Sequence, residues 1–457
     1  MINEARKIYL VGIKGSGMVA LAEIFLHLKK KVTGSDEKNW FFTDEVLKKL
    51  RIRYYEGFSR ENIEKERPDL VVYSTAYNEK QNEELSWAVK LKIPRLSYPE
   101  AIGELMKDKY GIAVCGTHGK TTTSAMLALA LRACGKDPTA IVGSRMVEVG
   151  SNAIVGKGKF FVVEADEYQR KFLHYNPMAV ILTSLDFDHP DYFVDFNDYK
   201  NVFRELIKKI PAHGCLVASG EDADVVEVAT MARCKVVFYG IDDDRAGKKR
   251  IIELFEKQQK RQPDFYFLPK EFQPGAIGRH NQLNAAAVLA MSEFLKLEQE
   301  LVKNSLIGFR GTSRRFEKLG ERNGALIYDD YAHHPREISE TLKAIRKNFS
   351  KRNIICVFHP HTFTRTKALL DDFAQSFSNA DEVIVIDIYG SAREKSGTIS
   401  SADLVEKIKK FHHRVSYIPT MDEVYNNLVP RLTKSDLVVM MGAGNICDLG
   451  VRLVKEK

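Results

Sequence analysis

The residues best equipped for chemistry form one stretch, Gly116-Thr117-His118-Gly119-Lys120-Thr121-Thr122-Thr123. An apolar run, Gly111-Ile112-Ala113-Val114-Cys115, leads into it, and a helix-like segment from Ser124 to Leu131 follows. A glycine turn between strand and helix presents backbone N–H groups and the positive end of the helix dipole, which together hold an anion. Lys120 adds a point charge for a terminal phosphate, and the Thr121 hydroxyl can join a Mg²⁺ shell. Position 114, where the strict Walker pattern has glycine, is Val114. The phosphate-loop reading still outranks a plain glycine hinge, because strand and helix flank the loop as the mechanism requires.

Two apolar runs further on end in charge. Phe160-Phe161-Val162-Val163 is followed by Glu164-Ala165-Asp166-Glu167, and the run from Met178 to Leu185 by Asp186-Phe187-Asp188-His189. In an open α/β sheet the carboxyl ends of neighbouring strands meet beside the phosphate loop. Glu164 and His189 are therefore candidate ligands of a hard cation, and Mg²⁺ with ATP is the pair that suits such a donor set. Asp166, Glu167, Asp186 and Asp188 are candidates to support them. Further on, His280, Asn281 and Asn284 start a helix, where polar side chains can reach a base. The basic segment between Asp242 and Arg261 reads as a solvated excursion without a function.

A second glycine turn lies near the N-terminus. The strand-like Lys7-Ile8-Tyr9-Leu10-Val11 runs into Gly12-Ile13-Lys14-Gly15-Ser16-Gly17-Met18, and helical spacing follows from Val19. A second strand ends in Gly34-Ser35-Asp36, about 20 residues on, where a doubly wound fold places a ribose-binding acid. A third, Leu70-Val71-Val72-Tyr73, ends in Ser74 and Thr75. The residues suit a nucleotide-diphosphate pocket and equally a glycine turn needed only for packing, and they do not by themselves separate NAD from UDP. In the C-terminal third, strand-like runs end in Asp329-Asp330-Tyr331-Ala332-His333-His334-Pro335, in His359-Pro360-His361-Thr362-Phe363-Thr364-Arg365 and in Gly442-Ala443-Gly444-Asn445. Histidines and an arginine on adjacent strand ends suit capture of a second, anionic substrate.

The elements that must position these groups follow from length and pattern. A chain of 457 residues predicts about three domains. Strand and helix patterns alternate throughout, which predicts an α/β class with parallel sheets. We expect an N-terminal Rossmann-like domain over 1–107, a central P-loop ATPase-type domain over 108–312 and a C-terminal Rossmann-like domain over 313–457. With 44% hydrophobic and 28% charged residues the chain has an ordinary globular composition. No apolar run is long enough to span a bilayer, so membrane insertion is not expected. A net charge of +8 suits small anionic substrates and does not by itself imply nucleic acid. The six cysteines form no C-x-x-C pair and read as reduced core residues of a cytoplasmic protein. Monomer and homodimer are both compatible with the sequence.

The combination of these motifs resembles the Mur ligases, ATP-dependent amide-forming enzymes of peptidoglycan synthesis. Gly116–Thr121, Glu164–Glu167, Asp188-His189, His280-Asn281 with Asn284, and Arg314-Arg315-Phe316-Glu317 occur in the family's order and cover nearly the whole chain. Within the family the pattern is most similar to the members that join L-alanine to the lactyl carboxylate of UDP-N-acetylmuramate through an acyl-phosphate. The alternative is a sister member that adds another amino acid or a recycled murein tripeptide. The resemblance implies that Gly12, Gly15, Ser16, Gly17, Met18, Ser35, Asp36 and Ser74 hold the UDP-sugar. It implies that Gly116, Thr117, His118, Gly119, Lys120, Thr121, Thr122, Asn281, Asn284, Arg315 and Asp330 hold ATP. Thr121, Glu164 and His189 would ligate Mg²⁺, and Tyr331, His361 and Arg365 would bind the amino acid. Lys120, Glu164, His189, Arg315 and His334 would be the catalytic residues. It also implies that the C-terminal domain closes to assemble the site.

The chain departs from the family pattern in places. Thr362 stands where the alanine-adding members commonly have arginine. Tyr168 and Gln169 replace the usual Ser-Asp, and Ser184 a common Asn. Phe203 aligns with the modified lysine of several sister ligases, so no carbamylated lysine is expected. A nicotinamide oxidoreductase is the rival reading of the N-terminal turn, but it leaves the phosphate loop, Glu164 and His189 unexplained. A non-catalytic nucleotide-binding regulator would require Lys120 and the metal positions to be idle.

Overall fold

A computed structural model describes residues 1–457 except 40, 42, 243, 391–393, 395 and 457. Three sheets follow one another along the chain. The first contains β1 (Lys7–Val11), β2 (Lys31–Asp36), β3 (Tyr54–Glu56), β4 (Leu70–Tyr73) and β5 (Arg95–Ser97), in the order β3-β2-β1-β4-β5. All its pairings are parallel. Ile8 to Val11 are buried without alternation, the pattern of a parallel strand covered on both faces.

The second sheet is built from β6 (Tyr110–Cys115), β7 (Thr139–Ile141), β8 (Ala153–Ile154), β9 (Phe160–Glu164), β10 (Ala179–Leu182), β11 (Cys215–Ser219), β12 (Lys235–Ile241) and β13 (Asp264–Leu268). Its order is β13-β12-β11-β10-β6-β9-β7-β8, with only β7–β8 antiparallel. The chain leaves β6 for β7, β8 and β9 on one side and returns to β10 on the other. The mouth of β6 is therefore a topological switch point, where open α/β sheets bind ligands.

The third sheet holds β14 (Glu317–Arg322), β15 (Ala325–Asp330), β16 (Asn353–Phe358), β17 (Glu382–Val385), β18 (Val415–Tyr417) and β19 (Asp436–Met441), in the order β14-β15-β19-β16-β17-β18. Only the β14–β15 hairpin is antiparallel. Register aligns Asp330, Met441, Phe358 and Val385 in one row, so the loops after β15, β19, β16 and β17 leave the sheet at one level.

The chain divides into two compact units. The first comprises 1–185, 200–269 and 284–308 and holds the first two sheets. The second comprises 186–199, 270–283 and 309–457 and holds the third. Among the described residues no helix is long and apolar enough to cross a membrane.

One expectation is corrected. The basic segment after Asp242 is not a solvated excursion: Arg245–Lys257 is the crossover helix between β12 and β13. It buries Gly247, Ile251 and Phe255, an apolar stripe thin enough to be hidden among its charges.

Glu84 organises the first sheet. It is fully buried and accepts hydrogen bonds from the hydroxyl of Tyr9 at 2.8 Å, from Asn62 at 2.7 Å and from the Ser35 hydroxyl. Burial pushes its carboxyl above the usual range, with the hydrogen bonds opposing that shift. Ser35 is thus part of the core. Ser35→Ala removes a donor from a buried carboxylate and should cost about 1–3 kcal/mol of unfolding free energy in a urea titration. A change within measurement error would show that Glu84 does not depend on it.

Candidate active site

The N-terminal glycine turn forms as its residue types predict. Gly12 has φ +80°, and a Cβ there would lie 2.7 Å from the Tyr77 ring and 2.9 Å from Ser74. A Cβ on Gly17 would lie 2.7 Å from the ring of Tyr98. The helix Ser16–His27 starts at Gly15 with no side-chain cap, so its first N–H groups lack an intrahelical partner. Asp36 points back into the turn. One carboxylate oxygen accepts the Lys14 N–H at 2.6 Å and the other the Tyr77 hydroxyl at 3.3 Å. Lys14 itself is buried, a role that the sequence reading missed. Its ammonium donates to the carbonyls of Glu37 at 3.0 Å and Asn39 at 2.8 Å and pairs with Asp44 at 3.3 Å. The carboxylate expected at a ribose also clamps the turn.

The phosphate loop sits at the mouth of β6. Gly116 has φ +125° and Gly119 φ +82°, conformations that favour glycine. A Cβ on Gly119 would stand 2.5 Å from Asn284 Oδ1, and one on Gly116 would strike Thr183. The N–H groups of Thr117 and His118 donate to Ser184, at 2.9 Å to its carbonyl and 3.0 Å to its hydroxyl. Those two donors serve the loop itself. The helix Lys120–Ala133 begins with Gly119 as its N-cap and no side-chain cap, which leaves its first-turn N–H groups for an anion.

The Lys120 ammonium folds over this loop. It donates to the Gly116 carbonyl at 2.5 Å, to the Thr117 carbonyl at 3.0 Å and to Glu167 at 3.1 Å. Burial works to lower its pKa, and Glu167, Asp166 and Glu164 reverse that and raise it. Glu164 accepts the Thr121 hydroxyl at 2.9 Å and the Gly143 N–H at 2.5 Å. The two residues assigned to a shared cation shell thus meet through hard oxygen atoms. Asn284 is buried against Gly119 and supports the loop. Asn281, one turn earlier on the same helix, donates to the Ile277 carbonyl at 2.7 Å.

The second unit gathers its own cluster. Arg365 and Asp188, both buried, form an ion pair at 2.9 Å through Nε. The pair holds Asp188 well below the usual carboxylate range against the opposing effect of burial. A terminal nitrogen of Arg365 donates to His361 Nδ1 at 3.2 Å. Next to Asp188, His189 takes a left-handed φ of +57° and donates its backbone N–H to the Asp188 carboxylate at 2.7 Å. Two guanidinium groups approach the Tyr331 ring, with Arg314 at 5.0 Å and Arg315 at 5.2 Å from its centre. Burial brings His333 down to about 3 and His361 to about 4, with the Arg365 charge acting in the same direction. Both are therefore neutral near pH 7.

Other expected ligand groups are committed locally. Asp330 accepts the N–H groups of Phe316 and Ala332, each at 2.8 Å, and burial pushes its carboxyl up to about 6. It clamps the turn that carries Arg315. Arg315 itself lies 3.8 Å from Glu337. His334 is the N-cap of the helix Pro335–Asn348, accepting the Arg336 N–H at 3.3 Å in a capping box with Glu337. Arg314 pairs with Asp329 at 3.0 Å and donates to the Gly442 carbonyl at 2.7 Å. Left-handed backbone at Arg314, Phe316 and Thr362 falls within these same loops.

Three family models account for most of the chain. The Mur ligase family catalytic domain matches residues 7–110, the Mur ligase middle domain 114–292, and the Mur ligase glutamate ligase domain 314–444. The chain belongs to the Mur ligase family. A relative Mur ligase, UDP-N-acetylmuramate–L-alanine ligase of Desulfitobacterium hafniense (strain Y51), is 43% identical over 98% of this chain and 99% of its own. The enzyme of the same name from Clostridium kluyveri is 39% identical, over 97% of both chains. The crystal structure of UDP-N-acetylmuramate–alanine ligase from Thermotoga maritima superposes with a TM-score of 0.77 at 25% identity, over 98% of each chain. A murein peptide ligase from Psychrobacter arcticus shares the fold, with a TM-score of 0.71 at 23% identity over 98% of each chain.

The geometry of this Mur ligase carries two testable consequences. Gly119→Ala forces a Cβ onto Asn284 and a strained φ, so calorimetric affinity for a nucleoside triphosphate should fall at least about 10-fold. Unchanged affinity would remove this loop from the nucleotide site. The histidines set a pH dependence of stability. Their folded pKa values lie below the unfolded value of about 6.5, so the unfolded state binds protons first. Their contribution is complete above about pH 6.5 and is lost as pH falls toward 4. The double variant His333→Asn/His361→Asn should therefore lose less stability than the wild type over that window, measured by denaturant titration at each pH. Parallel curves would show that these histidines are not held neutral.

Proposed function

We propose that this Mur ligase joins the amine of L-alanine to the lactyl carboxylate of UDP-N-acetylmuramate, with cleavage of ATP to ADP and phosphate, in cytoplasmic peptidoglycan precursor synthesis. Near-complete alignment at 43% identity with a UDP-N-acetylmuramate–L-alanine ligase carries the reading. We take the three domains to be 1–107, 108–312 and 313–457.

A lactyl carboxylate oxygen attacks the γ-phosphorus of ATP, the bond to the β-phosphate bridging oxygen breaks, and ADP leaves. The amine of L-alanine then attacks the acyl carbon of the resulting acyl-phosphate. The carbon–oxygen bond to phosphate breaks, and the amine nitrogen gives up a proton. Both steps gather negative charge, so fixed donors and cations supply the stabilisation. Lys120 and the first-turn N–H groups of its helix serve the phosphates. Thr121 and Glu164 offer hard oxygens that fit Mg²⁺, which when bound neutralises phosphate charge.

The turn at Gly12, Gly15 and Gly17 serves the UDP diphosphate, with Ser74 beside it. Arg365, whose plane is set by Asp188 and His361, presents its other terminal nitrogen to the alanine carboxylate.

Phosphate release with ATP, Mg²⁺ and UDP-N-acetylmuramate, screened across amino acids and murein peptides, tests the proposal. L-Alanine should be preferred and yield a product of matching mass; preference for another acceptor would move the function to a sister ligase. Lys120→Ala should lower kcat/KM roughly 10²- to 10³-fold while leaving UDP-sugar affinity intact. Arg365→Lys keeps the charge near Asp188 but loses the fork, so it should raise the KM for L-alanine more than that for ATP. The reverse order would remove Arg365 from the amino-acid site.

A further inference from the structure

Tyr389 follows β17 and has no place in the chemistry above. Its backbone is tied to the loop after β16. The Thr362 N–H donates to the Tyr389 carbonyl at 2.9 Å, and the Tyr389 N–H donates to the Pro360 carbonyl at 2.8 Å. A parallel bridge between His361 and Tyr389 joins the two residues directly. The rings follow the backbone. Tyr389 lies nearly flat on His361, with centroids 5.6 Å apart and planes 19° apart, while His359 meets Tyr389 edge-on at 5.3 Å. Yet Tyr389 is 39% exposed, so it is not a core residue.

The contact in the plane of the His361 ring is equally specific. Arginine only donates, so the Nδ1 that meets Arg365 at 3.2 Å must carry a lone pair. In the neutral imidazole the proton then sits on Nε2. A ring held in plane by Arg365 and across its face by Tyr389 has its tilt and its donor atom both defined.

We propose that Tyr389 is a positioning residue which, with Arg365, holds His361 as the neutral Nε2–H tautomer and so sets the wall of the amino-acid pocket. The proposal deepens the ligase reading and rests on it for the identity of the amino acid. Tyr389 acts through His361 and does not itself touch the reacting atoms. Loss of the ring leaves His361 free to tilt, which weakens capture of L-alanine and admits larger side chains. ATP, held by other residues, is unaffected.

The test uses the full-length enzyme. Nitrogen-15 imidazole spectra near neutral pH, with His361 assigned by comparison with His361→Asn, should show the Nε2–H tautomer in the wild type. An Nδ1–H tautomer or an imidazolium would overturn the proposal. In Tyr389→Ala the KM for L-alanine should rise roughly 5- to 10-fold, the size expected from losing one ring–ring contact, with the KM for ATP within about twofold. The preference for L-alanine over L-serine should fall in the same variant. Tyr389→Phe keeps the ring and should restore wild-type values. A folded Tyr389→Ala enzyme with unchanged L-alanine KM would overturn the proposal. Wild-type enzyme that releases no phosphate with L-alanine would sink the ligase reading instead, and the tautomer spectrum would still decide the geometry at His361.

Discussion

A parallel strand covered on both faces has nowhere to carry polar chemistry except its ends. That constraint shapes all three sheets. Their interiors are runs such as Ile8–Val11, Ile112–Cys115 and Leu437–Met441, buried throughout. Chemistry collects where the runs stop. Pairing of Val114 with Glu164 and of Leu182 with Cys115 brings the ends of β9 and β10 level with the phosphate loop. The row through Asp330, Met441 and Phe358 does the same for the tyrosine, histidine and glycine loops of the second unit. Register converts residues far apart in the chain into neighbours, and the switch in strand order opens the space between them.

Within those loops the cations are already matched. Lys120 is paired with Glu167, Arg365 with Asp188 and Arg314 with Asp329. Each carboxylate partner is buried, so each pair rests on hydrogen bonds as well as charge. A buried cation without a partner is costly, and a resident carboxylate keeps it charged until an anionic substrate arrives. The pairing also fixes geometry. Asp188 sets the plane of Arg365, and Asp329 with the Gly442 carbonyl sets that of Arg314, which in turn lies over Tyr331. The histidines beside these arginines stay neutral because burial and the nearby positive charge both oppose protonation.

Much of this was legible in the residues. The α/β class, the two glycine turns, the phosphate loop and the charged strand ends all follow from local pattern. Gly12, Gly116 and Gly119 take the left-handed backbone that their type permits. Thr121, assigned to a cation shell from the phosphate-loop motif, and Glu164, assigned from a strand end, meet at 2.9 Å. Other assigned residues hold partners within the fold. Ser35 and Asp36 end the second strand, where Ser35 donates to Glu84 and Asp36 accepts the Lys14 amide. Asp330 ends a strand too, and two backbone N–H groups donate to it.

The sequence by itself determined which segments end in chemistry, because strand, turn and helix signals are local and glycine, lysine and carboxylate types are decisive at a turn. It determined the family as well, through the order and spacing of motifs along nearly the whole chain. Only the tertiary structure decided which of those polar groups hold a partner within the fold. Lys14 buried under its own turn, Arg365 paired with Asp188 and Tyr389 laid on His361 join residues 23 to 177 positions apart. Nothing in local sequence encodes such a partner, since a side chain bonds to whatever the packing of distant strands brings within about 3 Å.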